Sequence, residues 1–146
     1  MLADDLKTLL GSTFVLYTKI HGFHFNVEGS DFPQYHEFFG DYYSEVYATF
    51  DKIGEYIRIL NSYTPGNLQR LIELSVLEEQ QKIPRATLMF EELLQDSIKM
   101  IDLVKNIFDV ATEQKEQAIA NYLADLQDLY GKKTWMIRSI LKTARE

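Results

Sequence analysis

The stretch His24–Glu55, HFNVEGSDFPQYHEFFGDYYSEVYATFDKIGE, has two histidines near its start and an Asp/Glu pair at its end. A helix start lies inside it: Asp31 reads as the N-cap and Pro33 falls in the first turn, where a missing N–H costs nothing. No proline interrupts from there to Asn61. Apolar side chains recur at Tyr43, Val46, Phe50, Ile53, Ile57 and Leu60, the three/four spacing of a core-facing helical seam. Asp51 and Glu55, one turn apart, share a face of that helix. His36 lies on nearly the same stripe, but its distance from Asp51 is about 22 Å at 1.5 Å rise per residue. The tight connection Val27–Asp31 predicts an antiparallel hairpin centred near residue 30, which sets His24 opposite His36. The chain therefore has a histidine end and a carboxylate end, and no single ion reaches both. A site using all four groups needs a second copy related by a two-fold axis, which exchanges the ends and makes two equal sites.

Working outward, residues 2–27 predict a first helix with Leu2, Leu6, Leu9, Leu16, Ile20 and Phe23 on its seam and Thr13 as the polar exception. Gly11 inside it costs about 1 kcal/mol against alanine. Tyr17, His21, His24 and Glu28 form a second stripe beside that seam. After the second helix, about 32–61, the run Asn61-Ser62-Tyr63-Thr64-Pro65-Gly66 is a break. Asn67–Leu74 reads as a short helix within a long connection, which allows helices two and three to run parallel. A third helix is expected over about 84–110, lined by Phe90, Leu94, Ile98, Ile101, Val104 and Phe108. A fourth is expected over about 113–143, lined by Ile119, Leu123, Leu126, Tyr130, Ile137 and Leu141, with Lys133 or Thr134 as its weak position. The expected fold is all-α: one domain over 1–146, a four-helix bundle with a short helix in the crossover between helices two and three.

Composition agrees and excludes several classes. At 146 residues the chain is long enough to bury a core, and only three prolines and seven glycines interrupt it. It has no cysteine, hence no disulfide, Cys-zinc site or thiol nucleophile. No apolar run approaches a membrane span, and MLADDLKTLL lacks the basic start of a signal peptide, so a cytoplasmic location is expected. The net charge of −7 disfavours nucleic acid and favours cations. Lys132, Lys133, Arg138, Lys142 and Arg145 make a basic C-terminal end, which the dipole of the last helix explains without a ligand.

His24, His36, Asp51 and Glu55 form a mixed imidazole and carboxylate set that suits Fe(II), Zn(II) or Mn(II). Each has an ordinary alternative: solvated flanking acids, and histidines hydrogen-bonded in an aromatic core. His21 and His24, three apart, could also make a site by themselves. Tyr43, Tyr47 and Trp135 are core aromatics or scavengers of radicals released by metal chemistry. There is no phosphate loop, nucleophile motif or HExxH. No Glu-x-x-His pair exists, so the usual di-iron site within one bundle cannot be built.

These residues resemble the Dps mini-ferritins, the starvation-induced iron-storing and DNA-protecting branch of the ferritin superfamily. The match is to H-[WF]-N-V-x-G-x-x-F-x-x-x-H-E-x-[FL]-D followed by D-x-x-x-E. TPGNLQRLIELSVLEE is similar to the family's crossover helix and KKTWMIRSIL to its last helix. The resemblance implies a ferroxidase centre at a two-fold interface, with His24 and His36 from one subunit and Asp51 and Glu55 from its neighbour. It also implies a hollow homo-oligomeric shell, a dodecamer, that oxidises Fe(II) with hydrogen peroxide or dioxygen and stores ferric oxide; zinc could take the place of iron. Two positions depart from the pattern. Gly40 stands where the family usually has Asp, with Asp41 turned about 100° away, and Phe25 stands where Trp is common. The Lys/Arg-rich N-terminal extension of some members is not seen, so little DNA binding is expected at physiological salt. The competing readings are a DNA-protecting assembly with weak ferroxidase activity, and a structural helical oligomer with a zinc-bound or empty site. Asp109, Glu113, Glu116, Asp125 and Asp128 lie in the part of the chain where the resemblance implies pore-lining acids, with no choice among them.

Overall fold

The first helix, α1 (Leu2–Asn26), buries every seam residue expected of it, and Thr13 with them. That threonine is tolerated because its hydroxyl donates to Leu9 O at 2.7 Å, inside its own helix. The computed structural model describes residues 1–142. Its other helices are α2 (Phe32–Ile59), α3 (Leu68–Leu74), α4 (Ala86–Glu113) and α5 (Gln117–Leu141), with no strand among the described residues. Helix α1 packs along α2, α4 packs along α5, and α1 meets α4 to join the two hairpins. The crossover carries α3 against α1. The four-helix bundle with one long connection is the one predicted.

Two seams differ from the expected pattern, for one reason. On α2 the buried line is Phe39, Tyr42, Val46, Thr49, Ile53 and Ile57, while Tyr43, Phe50 and Leu60 are only partly covered. On α4 it is Met89, Leu93, Ser97, Met100, Val104 and Ile107; Leu94, Ile101 and Phe108 flank it, and Ile98 is exposed. Both true seams run through polar residues that a hydrophobic pattern skips. Thr49 donates to Val46 O at 2.7 Å, and Ser97 Oγ shares a 2.6 Å hydrogen bond with Tyr42 OH. Once hydrogen-bonded, such groups cost little to bury.

Helix ends also moved. Helix α2 stops at Ile59 because Asn61 adopts φ 63°, and Ser62 N–H then reaches back to Ile57 O at 3.2 Å. Helix α4 runs past the expected break to Glu113, where Lys115 at φ 59° makes the same kind of turn. Asp31 is the N-cap of α2 with Pro33 in its first turn, but its side chain makes no capping bond. The expected end of the last helix at residue 143 lies outside the described residues.

Charged groups bind the bundle internally. Lys19 of α1 is buried and reaches Asp96 and Glu92 of α4, each at 2.8 Å. Lys133 of α5, one residue of the basic C-terminal run, is buried too; it pairs with Glu45 and lies over the Phe38 and Tyr42 rings. Its charge therefore serves α2–α5 packing rather than the helix dipole. Arg145 lies outside the described residues.

Gly11 marks where α3 meets α1. A Cβ there would fall 2.3 Å from Leu71 O and 3.0 Å from Leu74 Cβ, so the glycine read as a cost is the condition for this approach. Gly11→Ala is expected to lower stability by about 1–3 kcal/mol despite the gain in helix propensity, because backbone must move. Urea denaturation of the two proteins measures it.

Candidate metal centre

The α1–α2 turn is short. Val27 N–H closes α1 on Phe23 O at 2.9 Å, Gly29 takes φ 122°, and Phe32 N–H bonds Gly29 O at 3.1 Å. A left-handed position of this kind favours glycine. The turn brings His24 and His36 together, as the hairpin predicted. Their Nδ1 atoms make reciprocal hydrogen bonds, His24 to His36 O and His36 to His24 O, both 2.7 Å. A carbonyl only accepts, so each Nδ1 carries the proton and donates it. In the neutral rings that fixes both tautomers and leaves each Nε2 with the lone pair a metal takes, the usual preparation of a metal-binding imidazole.

The two rings stack, with centres 3.8 Å apart and planes 16° apart. An ion bonds imidazole in the ring plane at about 2.1 Å. Rings so nearly parallel and face to face share no such point, so the two imidazoles of one copy do not hold a single ion between them. The stack is extended by Phe32, whose ring lies 4.9 Å from that of His36.

Gly40 explains how His24 can lie so close to α2. A Cβ at position 40 would meet His24 Cε1 at 3.1 Å and Nδ1 at 3.2 Å. Asp41 does not substitute for a carboxylate there. It lines a shallow depression with Ser44, Glu45, Lys132, Lys133 and Met136, on the side of α2 that faces α5. Asp51 and Glu55 are exposed farther along α2. Among the described residues, no three His, Cys, Asp or Glu side chains of one chain converge on a common point. One copy thus brings His24 and His36 together and holds Asp51 and Glu55 apart from them. Of the acids considered for pores, Asp109, Glu113, Asp125 and Asp128 are exposed and Glu116 is half-buried.

His21 is held by other partners. Its ring stacks on Tyr43 at 3.9 Å and on Phe25 at 4.6 Å, its Nδ1 lies 3.0 Å from Tyr17 OH, and its centre is 6.1 Å from that of His24. Burial first, and the nearby His24 charge second, hold its pKa below the usual 6.5. The Tyr17 partnership is legible in the sequence only as an i, i+4 spacing. Around the histidines large rings stay open to solvent: Phe25 is 67% exposed, Tyr47 55% and Phe32 39%. Apolar rings bordering a polar centre are the composition of a contact surface.

The chain is similar to several known proteins. Residues 3–146 match the family model described as a ferritin-like domain. The DNA protection during starvation protein of Brevibacillus brevis is 28% identical over 142 residues, covering 97% of this chain and 95% of that protein. DNA protection during starvation protein 2 of Bacillus anthracis is 28% identical over 127 residues, covering 87% of each. The crystal structure of Dps from Staphylococcus aureus superposes with a TM-score of 0.94 at 27% identity, over 98% of this chain and 96% of that one. The chain belongs to the ferritin-like family, in its branch of Dps-type mini-ferritins. No helix among the described residues is long and apolar enough to cross a membrane.

Proposed function

We propose that this protein oxidises Fe(II) with hydrogen peroxide at centres shared between two copies, and stores the ferric product inside a hollow homo-oligomeric shell. The observation that carries this reading is the His24–His36 pair, with both Nδ1 protons committed to backbone carbonyls and both Nε2 atoms free. In the proposed centre these two nitrogens hold neighbouring Fe(II) ions, and Asp51 and Glu55 of the partner subunit supply the negative charge and the bridging oxygens. Each Fe(II) gives one electron to hydrogen peroxide; the O–O bond breaks, two protons are taken up, and two waters leave. Delivery of both electrons at one site avoids release of hydroxyl radical. The exposed Phe25, Tyr47 and Phe32 rings support burial of this face by a second copy, and the net charge of −7 favours arrival of cations.

A dodecameric shell, a cytoplasmic location and the use of dioxygen as a second oxidant belong to the same proposal, and zinc is expected to compete for the site. Protection of DNA is a second reading, favoured by the names of the two curated relatives. On this chain it would rest on Lys132, Arg138 and Lys142, the exposed described cations of the basic run.

The function is tested by anaerobic Fe(II) loading followed by a peroxide titration. The expected result is consumption of about two Fe(II) per peroxide with no spin-trapped hydroxyl radical, the stoichiometry of a paired centre. No oxidation above the rate in buffer would reject the proposal.

Gly40→Ala probes the fit of His24. Alanine favours the helix by about 0.5–1 kcal/mol, while its Cβ presses the ring at 3.1 Å. Stability is expected to stay level and Zn(II) affinity to fall about tenfold, since small errors in ligand placement are costly. Calorimetric titration and thermal melts separate the two effects.

A further inference from the structure

The proposed oxidation leaves one well-built feature beside the centre unused. Tyr17 and His21 stand one turn apart on α1, with the phenolic oxygen 3.0 Å from His21 Nδ1. Ring contacts connect them to the centre: the His24 ring meets Tyr43 edge-on at 5.2 Å, Tyr43 stacks on His21 at 3.9 Å, and Tyr43 lies 6.0 Å from Tyr17. Phe25 also lies against His24, at 5.7 Å, but a phenyl ring has no proton to release and is hard to oxidise.

A phenol gives up an electron at moderate potential only if its proton leaves with it. The Tyr17 hydroxyl lies 3.0 Å from His21 Nδ1, which takes that proton in the tautomer that carries its own proton on Nε2. Tyr43 lies against His21 and His24, and Tyr47 lies 4.7 Å from Tyr17, yet neither hydroxyl has a hydrogen-bond partner among the described residues. Trp135 makes no ring contact with this cluster among the described residues and is 57% exposed. The need for such a donor follows from the histidine side of the centre. Gly40 offers no side chain, and Asp41 faces elsewhere, so that side holds its ions by one imidazole each. A centre with one of its two positions filled would meet peroxide with a single electron to give.

We propose that Tyr17, with His21 as acceptor of its proton, is the redox-active residue that supplies the second electron when only one Fe(II) is present. This rests on the centre proposed above. In this step Fe(II) becomes Fe(III) and Tyr17 becomes a neutral phenoxyl. The phenolic proton passes to His21 Nδ1, the peroxide O–O bond breaks, and with two solvent protons two waters form. A later Fe(II) returns one electron to the phenoxyl while His21 returns its proton, restoring the pair.

The test is freeze-quench electron paramagnetic resonance on the assembled protein, loaded anaerobically with one Fe(II) per centre and mixed with equimolar hydrogen peroxide. The expected result is a tyrosyl signal, identified by its narrowing with ring-deuterated tyrosine, whose formation slows in deuterated water. In Tyr17→Phe the signal should fall at least about tenfold and spin-trapped hydroxyl radical should rise. His21→Gln should slow its formation by a similar factor through loss of the base. Tyr43→Phe and Tyr47→Phe should retain it. At two Fe(II) per centre all four variants should oxidise iron at the parent rate. A signal that survives Tyr17→Phe, or that is lost in Tyr43→Phe or Tyr47→Phe, overturns the assignment to Tyr17. Normal Fe(II) oxidation with no tyrosyl signal overturns it as well and leaves the centre standing. Absence of any Fe(II) oxidation in the parent protein removes the centre and this inference together.

Discussion

Replacing Asp51 and Glu55 together by alanine should abolish peroxide-driven Fe(II) oxidation while leaving the helices and their melting temperature almost unchanged. Both residues are exposed on α2, and neither takes part in an ion pair or side-chain hydrogen bond among the described residues. Surface substitutions of that kind usually shift stability by no more than about 0.5 kcal/mol. The chemical effect is large because the two histidines bring no negative charge. Without the partner's acids two Fe(II) ions would sit side by side with their charge uncompensated, and Fe(III) would be held less well still. A fall in rate of about a thousandfold is expected, the scale of removing the main electrostatic stabiliser from a site. Stopped-flow absorbance reads the rate and circular dichroism reads the fold. The acids are a cleaner target than the histidines, whose rings also close the α1–α2 turn.

Lys19→Met should produce the largest loss of stability in the bundle, about 3–5 kcal/mol. The Lys19 ammonium is held by Asp96 and Glu92, each at 2.8 Å, with its side chain 3% exposed and that of Asp96 7% exposed. Removing the cation strands a buried carboxylate between α1 and α4. In the parent protein burial already raises the Asp96 pKa above its usual value, and the bond to Lys19 acts against that rise. The variant loses the opposing effect, so its Asp96 should bind a proton more tightly in the folded than in the unfolded chain. Stability from such a group is present below the unfolded pKa and is lost as pH rises through the folded one. Lys19→Met should therefore be least harmed near about pH 4 and increasingly harmed toward pH 8. Adding Asp96→Leu should recover most of the loss, because a buried ion pair replaced as a whole often costs little. Denaturant melts across that pH range check both statements.

These two groups show how unevenly the structure could be read in advance. The bundle, its crossover and the α1 seam follow from periodicity, since apolar residues dominate there and helical spacing is unambiguous. The seams of α2 and α4 were misplaced where Thr49, Asp96 and Ser97 enter the core. A hydrophobic pattern counts polarity as exposure, and it cannot know that Tyr42 and Lys19 wait on other helices as partners. Lys133 hid its structural role for the same reason. At the centre, the pairing of His24 with His36 was accessible, because a short turn forces two flanking residues together. Their stacking was not, for it depends on the absence of a side chain at Gly40. In the sequence that glycine reads as a missing ligand; in the fold it makes room for the ring.

The central claim is that histidines of one copy and acids of another complete each centre, and subunit complementation tests it most directly. One variant lacks both histidines (His24→Ala, His36→Ala) and the other lacks both acids (Asp51→Ala, Glu55→Ala). Each assembled alone should be inactive. Unfolded together in equal amounts and reassembled, half of the two-fold pairs should be mixed, and each mixed pair should own one complete centre, so about a quarter of the parent Fe(II) oxidation should return. Mixed assemblies that form, as mass spectrometry would show, and yet stay inactive would contradict a centre built across the two-fold contact.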